Sequence, residues 1–430
     1  MAPRYKRLPA NMQARNSNMT HLFLYCLSAA NRVLVLKRRY VHISYMLYDI
    51  VIAGAGLAGS IAALLLAKGG RRVALIDPRS DFDPRAVRDD GRSTAVMPLG
   101  LSLLERAGMG AVLEKSQPLA RLRLIDACQG QAQILTFDAK EISEPYFGLN
   151  IDNTLLRCAL FSALKTHDLI DLFPAQRAVQ AKEGQLLLAD GHKLDAKLVI
   201  AADGKDSALR RAAGIKTKAR DLDQSAFTFR IRHTLPHQDT STEFFEPGGP
   251  LTLIPLSDDQ TSAVVWSHGK AEATVLEAAS EQDFLAQLQR KTRGILGKIE
   301  LTSNPFCVPI RTVLAEKLTA SRLVILAEAA HALPAFGAQG LNTSLADVHV
   351  LTSLLEGVGD VGASDILRQY CLKRAPDTKA RYEITLGLSR VLPAEQFFAV
   401  KLKNLGFKVL RNGKLPRKFL MQTGMRPVRI

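Results

Sequence analysis

The stretch Tyr48-Asp49-Ile50-Val51-Ile52-Ala53-Gly54-Ala55-Gly56-Leu57-Ala58-Gly59 decides the fold. Residues 48–53 read as a short buried strand, an apolar run closed by glycine. An Ala/Leu-rich helix is predicted from Ser60 to about Lys68, and a second strand, residues 72–76, ends at Asp77. Strand, GxGxxG, helix, strand and acid follow one another within about 30 residues, the full context that a dinucleotide-binding turn requires. Gly54 permits the tight turn, Gly56 lets backbone approach a pyrophosphate, and Gly59 lets the helix pack close to the strand. The helix N-terminus offers free N–H groups and the positive end of its dipole to phosphate. Asp77 is placed to accept hydrogen bonds from the hydroxyls of an adenosine ribose.

Outward from this unit, the chain does not continue in the regular βαβ repeats of a nicotinamide-dependent dehydrogenase. It runs into Asp89-Asp90-Gly91-Arg92-Ser93-Thr94-Ala95 and a helix over residues 98–106. Far downstream, Leu198-Val199-Ile200-Ala201-Ala202-Asp203-Gly204 is a buried strand ending in Asp-Gly, followed by Ser207 and Arg210. Leu323-Val324-Ile325-Leu326-Ala327-Glu328-Ala329-Ala330-His331 is another strand ending in an acid. It leads to Pro334, then Gly337-Ala338-Gln339-Gly340-Leu341-Asn342 and a helix through Asp347. Three strands, each closed by an acid or a glycine turn, imply one extended ligand lying across one sheet.

The net charge of +16 looks at first like that of a nucleic-acid binder, but its distribution says otherwise. Residues 1–48 carry eight Lys/Arg and residues 396–430 carry nine, with no acid in either segment, so the body between them sums to −1. No nucleic-acid motif accompanies the charge. Cys26, Cys128, Cys158, Cys307 and Cys371 are scattered without metal-ligand spacing, which predicts reduced thiols and no structural zinc or other metal. Residues 1–45 are basic and acid-free, and their apolar stretch, 21–36, is too short and interrupted to span a bilayer. Three readings stand for this extension: a start upstream of the true one at Met46, a mitochondrial-type transit peptide, or a secretory signal. On each, it lies outside the fold.

At the three motifs the chain resembles the class A flavoprotein monooxygenases, the para-hydroxybenzoate-hydroxylase-like group. That group carries GxGxxG, an Asp-Gly segment and a segment written Gly-Asp-Ala-Ala-His…Pro…Gly-x-Gly-x-Asn, in the same order and spacing. Asp90–Ala95, residues 249–256 (Gly-Pro-Leu-Thr-Leu-Ile-Pro-Leu) and Gly337–Asn342 make the chain most similar to the ubiquinone-biosynthesis hydroxylases. The resemblance runs from about residue 47 to about 395. It implies an α/β fold: a Rossmann-like FAD-binding domain of the glutathione-reductase type, an inserted and mostly antiparallel substrate sheet, and a C-terminal helical region. FAD-binding parts are expected at about 46–110, 150–215 and 305–350, and substrate-domain parts at about 111–149 and 216–304.

By the same resemblance, Gly54, Gly56, Gly59 and Asp77 hold the ADP half of FAD, with Leu57 and Ala58 at the helix start beside it. Arg92 lies near the pyrophosphate and Asp203 near the cofactor's centre. Pro334 and the segment with Gly337, Gly340, Leu341 and Asn342 bring backbone N–H groups to the flavin ring, whose reduced form carries negative charge. One departure is plain: the usual Gly-Asp before Ala-Ala-His is Ala327-Glu328. Glu328 is one methylene longer than the acid that bonds the ribityl chain, and Ala327 adds a Cβ. His331 reads as a packing and hydrogen-bonding residue of the turn rather than a base, and the sequence names no acid–base residue.

Residues 226–233, 241–246, 251–256 and 262–266 read as strands of an antiparallel sheet, and a long helix is expected from about Asp365 to Leu388. Residues 396–430 interleave Phe397, Phe398, Leu405, Phe407 and Val409 with their nine cations. Two readings follow: a stretch lying on an anionic bilayer, or a helix docked on the body with a solvated basic face. The resemblance implies hydroxylation of a polyprenylated phenol through a flavin C4a-hydroperoxide, with O2 and NAD(P)H or another electron donor, beside other ubiquinone-biosynthesis enzymes at the inner membrane. The expected compartment is the cytoplasm, or the mitochondrial matrix if residues 1–45 are a transit peptide. A halogenase on the same scaffold needs a Trp-x-Trp-x-Ile signature, and this chain has only Trp266. A prenyl-lipid reductase, or a non-catalytic FAD-binding scaffold in a lipid-synthesis complex, is also compatible with the three motifs.

Overall fold

The computed structural model describes residues 47–425 apart from 80, 90, 129–131, 247–248, 335–336 and 392–396, so the extension 1–45, Met46 and Asp90 lie outside the described residues. The strand Leu47–Ala53 is the centre of an eight-stranded sheet. It pairs in parallel with Lys193–Ala201 on one side and Val73–Ile76 on the other. Leu323–Ile325 adds in parallel beyond the first neighbour and Ile170–Phe173 beyond the second. Ile50, Val51 and Ile52 are fully buried because both faces of a parallel sheet are covered. Each such side chain contributes roughly 1.5–3 kcal/mol on burial. The helix Leu57–Lys68 is buried from Ala58 to Ala67, and its Ala, Gly and Ser residues allow close approach on all sides.

A nine-stranded, mostly antiparallel sheet stands beside this one. Its spine is Thr217–His233 paired with Thr261–Gly269, followed by Leu251–Pro255 and Thr240–Phe245. The pairing of Thr240–Phe245 with Arg121–Asp126 is parallel. One face is covered by the helices Lys270–Glu277 and Glu281–Lys291 over a core of Phe227, Phe229, Phe244, Trp266, Phe284 and Leu288. Phe306–Ala315 belongs to this sheet and not to the nucleotide sheet, as an FAD-binding part starting at 305 had implied. Its ten residues pair antiparallel with Thr217–Thr228, with a shift of register between Asp221 and Ser225.

The long C-terminal helix runs from Ser364 to Val391 and carries Pro376 within it. Beyond it come two shorter helices, Phe397–Asn412 and Lys414–Met425. Phe407, Met421 and Met425 pack against Leu135, Phe137 and Phe147. Lys403 is buried in an ion pair with Asp126 at 2.9 Å, and Arg417 pairs with Glu141. This end of the chain therefore docks on the body through one face. No described helix is long and apolar enough to cross a membrane.

Candidate cofactor site

Four strands of the first sheet bring their C-terminal ends into one row: Ile76, Ala53, Ala201 and Ile325 are successive Cα partners across it. Three inter-strand steps of about 4.8 Å separate the first from the last, so the row is ~14 Å wide. The motifs that are far apart in sequence leave from this row. Asp77 follows one strand, Gly54–Gly59 the next, Asp203 the third, and Ala327-Glu328 the fourth. In an open α/β sheet, ligands bind across such an edge.

The glycine turn shows what each glycine is for. Gly54 has φ +105°, and a Cβ there would lie 2.2 Å from the Ala202 carbonyl oxygen. A Cβ on Gly59 would lie 2.0 Å from the Gly54 carbonyl oxygen, so the helix touches the strand end. Gly56 differs: its φ is −64°, and a Cβ there meets none of the described atoms within 4 Å. The space before Gly56 is open, as a pyrophosphate needs. Among the described residues no side chain caps the helix Leu57–Lys68, and its first turn holds no acid. Its leading N–H groups and positive dipole end remain available to an anion.

Asp77 is buried and already occupied. It accepts from the Ala55 N–H at 2.7 Å, and from the Arg79 N–H, Nε and Nη2 at 3.0, 2.8 and 3.2 Å. Those four donors fill the lone-pair positions of a carboxylate. Contact with ribose hydroxyls therefore requires Arg79, whose side chain is 43% exposed, to swing aside. Arg92 is exposed just before the strand Ser93–Val96.

Asp203 has one committed oxygen and one orphan. Oδ2 accepts from the N–H groups of Ala208 and Leu209 at 2.8 and 3.3 Å, whereas Oδ1 is buried with no partner among the described residues. An unpaired buried carboxylate oxygen costs on the order of 1–3 kcal/mol or more, so a hydroxyl-bearing ligand fits it. Arg210 locks the neighbourhood: Nη1 donates to the Ala329 carbonyl at 2.6 Å and Nη2 to the Lys205 carbonyl at 2.8 Å. The Asp-Gly loop is thereby tied to the turn that carries Glu328.

That turn is a short 3-10 helix, Ala327–Ala329, after a strand of only three residues. Ala327 has φ +55°, which explains why glycine is usual there, and Glu328 is exposed. A second departure lies in the sequence and takes its meaning from the backbone. Counted back from Asn342, a Gly-x-Gly-x-Asn pattern places its first glycine at position 338, which is alanine, and Ala338 has φ +54°. Two alanines thus hold left-handed backbone at a cost of about 1–2 kcal/mol each.

Ala338 is the N-cap of the helix Gln339–Leu355, which has no side-chain cap among the described residues and no acid in its first turn. Gly337, with φ +59°, and Gly340 are exposed, Leu341 is half-buried against the core, and Pro334 is buried. Asn342 does not turn its side chain to a ligand. Its Oδ1 accepts from the Met97 N–H at 2.9 Å, and Nδ2 donates to the carbonyls of Ala95 and Ala338 at 2.7 and 2.8 Å. It latches the helix start to the strand Ser93–Val96, leaving the backbone N–H groups as the contact surface.

Beneath the turn lies a buried charge network. Asp347 receives His331 Nε2 at 2.6 Å, Arg374 Nε at 2.7 Å and the Ala327 N–H at 3.0 Å. Arg374 continues to Asp377, which Arg381 also reaches, and Arg381 donates to Gln339 Oε1 at 2.5 Å. Burial alone would raise the Asp347 carboxyl, but the charges of His331 and Arg374 and the hydrogen bonds outweigh it and bring it down to about 2. His331 is here a bonding residue of the turn.

One residue that no motif flags stands beside this site, and a second, a buried carboxyl, lies within the other sheet. Asn150, on Leu149–Asp152, is the strand partner of Ala95, whose carbonyl holds Asn342. Its Nδ2 donates to the Pro255 carbonyl of the second sheet at 2.8 Å, and its buried Oδ1 has no partner among the described residues. Glu243, on Thr240–Phe245, is buried in the second sheet. Burial pushes its carboxyl up to about 7, partly offset by a hydrogen bond with Thr252.

The comparisons with known proteins agree with this geometry. The family described as FAD binding domain matches residues 47–383. A ubiquinone hydroxylase, UbiL, of Rhodospirillum rubrum is 29% identical over 86% of this chain and 88% of its own. The 3-demethoxyubiquinol 3-hydroxylase of Escherichia coli is 28% identical over 86% and 97%. Among solved structures, p-nitrophenol 4-monooxygenase PnpA from Pseudomonas putida superposes with a TM-score of 0.73 at 17% identity, over 89% of this chain and 99% of that one. The orphan Asp203 oxygen, the open space at Gly56 and the two uncapped helix starts fit the two ends and middle of a flavin dinucleotide. The chain belongs to the FAD binding domain family, and FAD is its cofactor.

Proposed function

We propose that this protein is an FAD-dependent monooxygenase that hydroxylates the aromatic ring of a polyprenylated phenol in ubiquinone biosynthesis. The observation that carries the reading is similarity to ubiquinone hydroxylases along nearly their whole length, up to 97% of the E. coli 3-demethoxyubiquinol 3-hydroxylase. Bound FAD supplies the two-electron and O2 chemistry, with NAD(P)H as the expected reductant. The chain's own residues bind, orient and neutralise. Gly54, Gly56 and Gly59 shape the pyrophosphate turn, with the backbone of Leu57 and Ala58 as donors. Asp77 and Arg92 serve the ADP half, and Asp203 Oδ1 accepts from a hydroxyl near the centre. Glu328 lies on the same exposed edge. The N–H groups at Gly340, Leu341 and Asn342, with the dipole of Gln339–Leu355, favour negative charge on the flavin ring.

Asn150 supports a place for the substrate ring. It joins the strand latched to this helix start to the Pro255 strand of the second sheet, and its Oδ1 is a free acceptor for a phenolic hydroxyl. An acceptor held by its own second hydrogen bond orients a ring without moving. The test is a quinone analysis, by mass spectrometry, of lipids from cells lacking this gene. A prenylated phenol short of one hydroxyl is expected to accumulate. Accumulation of an unsaturated prenyl chain would instead identify a prenyl-lipid reductase, and normal ubiquinone would overturn the reading.

A further inference from the structure

The helices Phe397–Asn412 and Lys414–Met425 dock by one face, and their other face is apolar where a solvated surface should be polar. Leu405 and Val409, one turn apart, are 59% and 45% exposed, and Leu415 and Phe419, also one turn apart, are 81% and 71% exposed. Leu420 beside them is 47% exposed. Lys408, Arg411, Lys414 and Lys418 are exposed among these side chains. Residues 397–425 contain no acid. Isolated exposed leucines are ordinary, but paired apolar stripes set among cations alone are not. The inward cations are accounted for separately: Lys403 is buried on Asp126, and Arg417 is paired with Glu141.

From this we infer that the outward face of these two helices is a docking surface for an anionic lipid bilayer. Charge complementarity selects the occupant. A surface with cations and no carboxylate attracts anionic headgroups, each cation contributing on the order of 1 kcal/mol, while Leu405, Val409, Leu415, Phe419 and Leu420 enter the headgroup boundary. A partner protein of mixed surface charge would leave those cations unmatched. The inner face of the same helices packs on Leu122, Leu124, Leu135 and Phe137 of the second sheet. The membrane contact and the sheet proposed to receive the substrate thus share one support. Delivery of a lipid substrate along this path rests on the hydroxylase reading; the lipid contact is read from the helices alone.

The experiment is sedimentation of the purified full-length flavoprotein with phosphatidylglycerol-containing vesicles and with pure phosphatidylcholine vesicles. Binding to the anionic vesicles that weakens as salt rises is expected. Leu415→Asp with Phe419→Asp, and separately Lys408→Glu with Lys418→Glu, should each weaken it on the order of 10-fold or more. The four side chains are exposed, so unchanged flavin absorbance and thermal midpoint will show that the variants fold. Equal binding of wild type and both variants would overturn the inference, as would wild type that ignores anionic vesicles. Both readouts are independent of activity, so failure of the hydroxylase reading would leave them unchanged.

Discussion

His331 Nε2 sits 2.6 Å from Asp347 Oδ2, and each side chain exposes only 1% of its surface. The pair anchors the turn that carries Ala327 and Glu328, because the same carboxylate takes the Ala327 N–H and the Arg374 guanidinium. Asp347→Asn would leave Arg374 buried with half its compensation. The expected cost is about 3–5 kcal/mol, read as a fall in the thermal midpoint accompanied by loss of flavin. An unchanged midpoint would remove the network from the account of the turn. The folded Asp347 carboxyl lies below its ordinary 3.8, so its stabilisation is complete above that pH and is lost as pH falls towards 2.

Gly56 and Gly59 should fail differently. Gly56→Val places its side chain in open space at φ −64° and is expected to fold but purify without flavin. Gly59→Val drives atoms into the Gly54 carbonyl and should fail to fold. Circular dichroism and the flavin spectrum of the two purified proteins separate these outcomes. A yellow Gly56→Val protein would contradict the pyrophosphate assignment.

Ala327 and Ala338 hold left-handed backbone where glycine is relaxed. Ala327→Gly and Ala338→Gly should each stabilise the protein, by up to ~1 kcal/mol after the greater freedom of glycine in the unfolded chain is subtracted. Denaturant unfolding checks this. A loss of stability in both would mean that the alanine methyl groups pack better than the strain costs.

These positions mark how far the sequence could be read. Residues 48–59, with Asp77 beyond them, were legible because strand, turn, helix and acid are neighbours along the chain, and each glycine answers a local steric demand. The Asp203 and Glu328 segments were legible as strand ends. The deeper part of the site was not. Asn150 meets Pro255 across 105 residues, and Asn342 meets Met97 across 245, so no local pattern announces either bond. Asn342 was expected to offer its backbone N–H to the flavin; that its side-chain amide also ties the helix start to the Met97, Ala95 and Ala338 backbone could not be read from the motif. The occupation of Asp77 by Arg79 was also hidden: two residues apart on paper, they close a four-donor cage only once the turn is folded. The C-terminal segment read equally well as docked or membrane-lying from composition alone; which residues are buried divides it into two faces.

Glu243 makes a pH prediction. Its folded carboxyl is pushed up to about 7 from 4.5, so the folded state keeps a proton that the unfolded chain gives up. Stability is therefore greatest below pH 4.5 with respect to this group, declines between 4.5 and about 7, and is flat above. Glu243→Gln should abolish that decline and gain on the order of 3 kcal/mol at alkaline pH. Parallel unfolding profiles of variant and wild type would show that the carboxyl does not titrate there.

Asn150→Leu should fold and bind FAD at a cost of about 1–3 kcal/mol for the Pro255 carbonyl that loses its donor, since neither the strand pairing of Asn150 nor the Asn342 latch uses its side chain. Its loss of the free acceptor should raise KM for a phenolic substrate by roughly 10-fold, the effect of one hydrogen bond to an uncharged group. Unaltered kinetics would move the ring elsewhere.

A hydroxylase of this kind places one oxygen atom of O2 on the ring of a prenylated phenol. The direct measurement is mass spectrometry of the product formed by the purified FAD-loaded protein, with reductant and a polyprenylated phenol, under isotopically labelled O2. One labelled oxygen in a new ring hydroxyl is the expected result. Oxidation of the reductant with an unlabelled, unchanged phenol, across phenols that differ in ring substitution, would contradict the hydroxylase account.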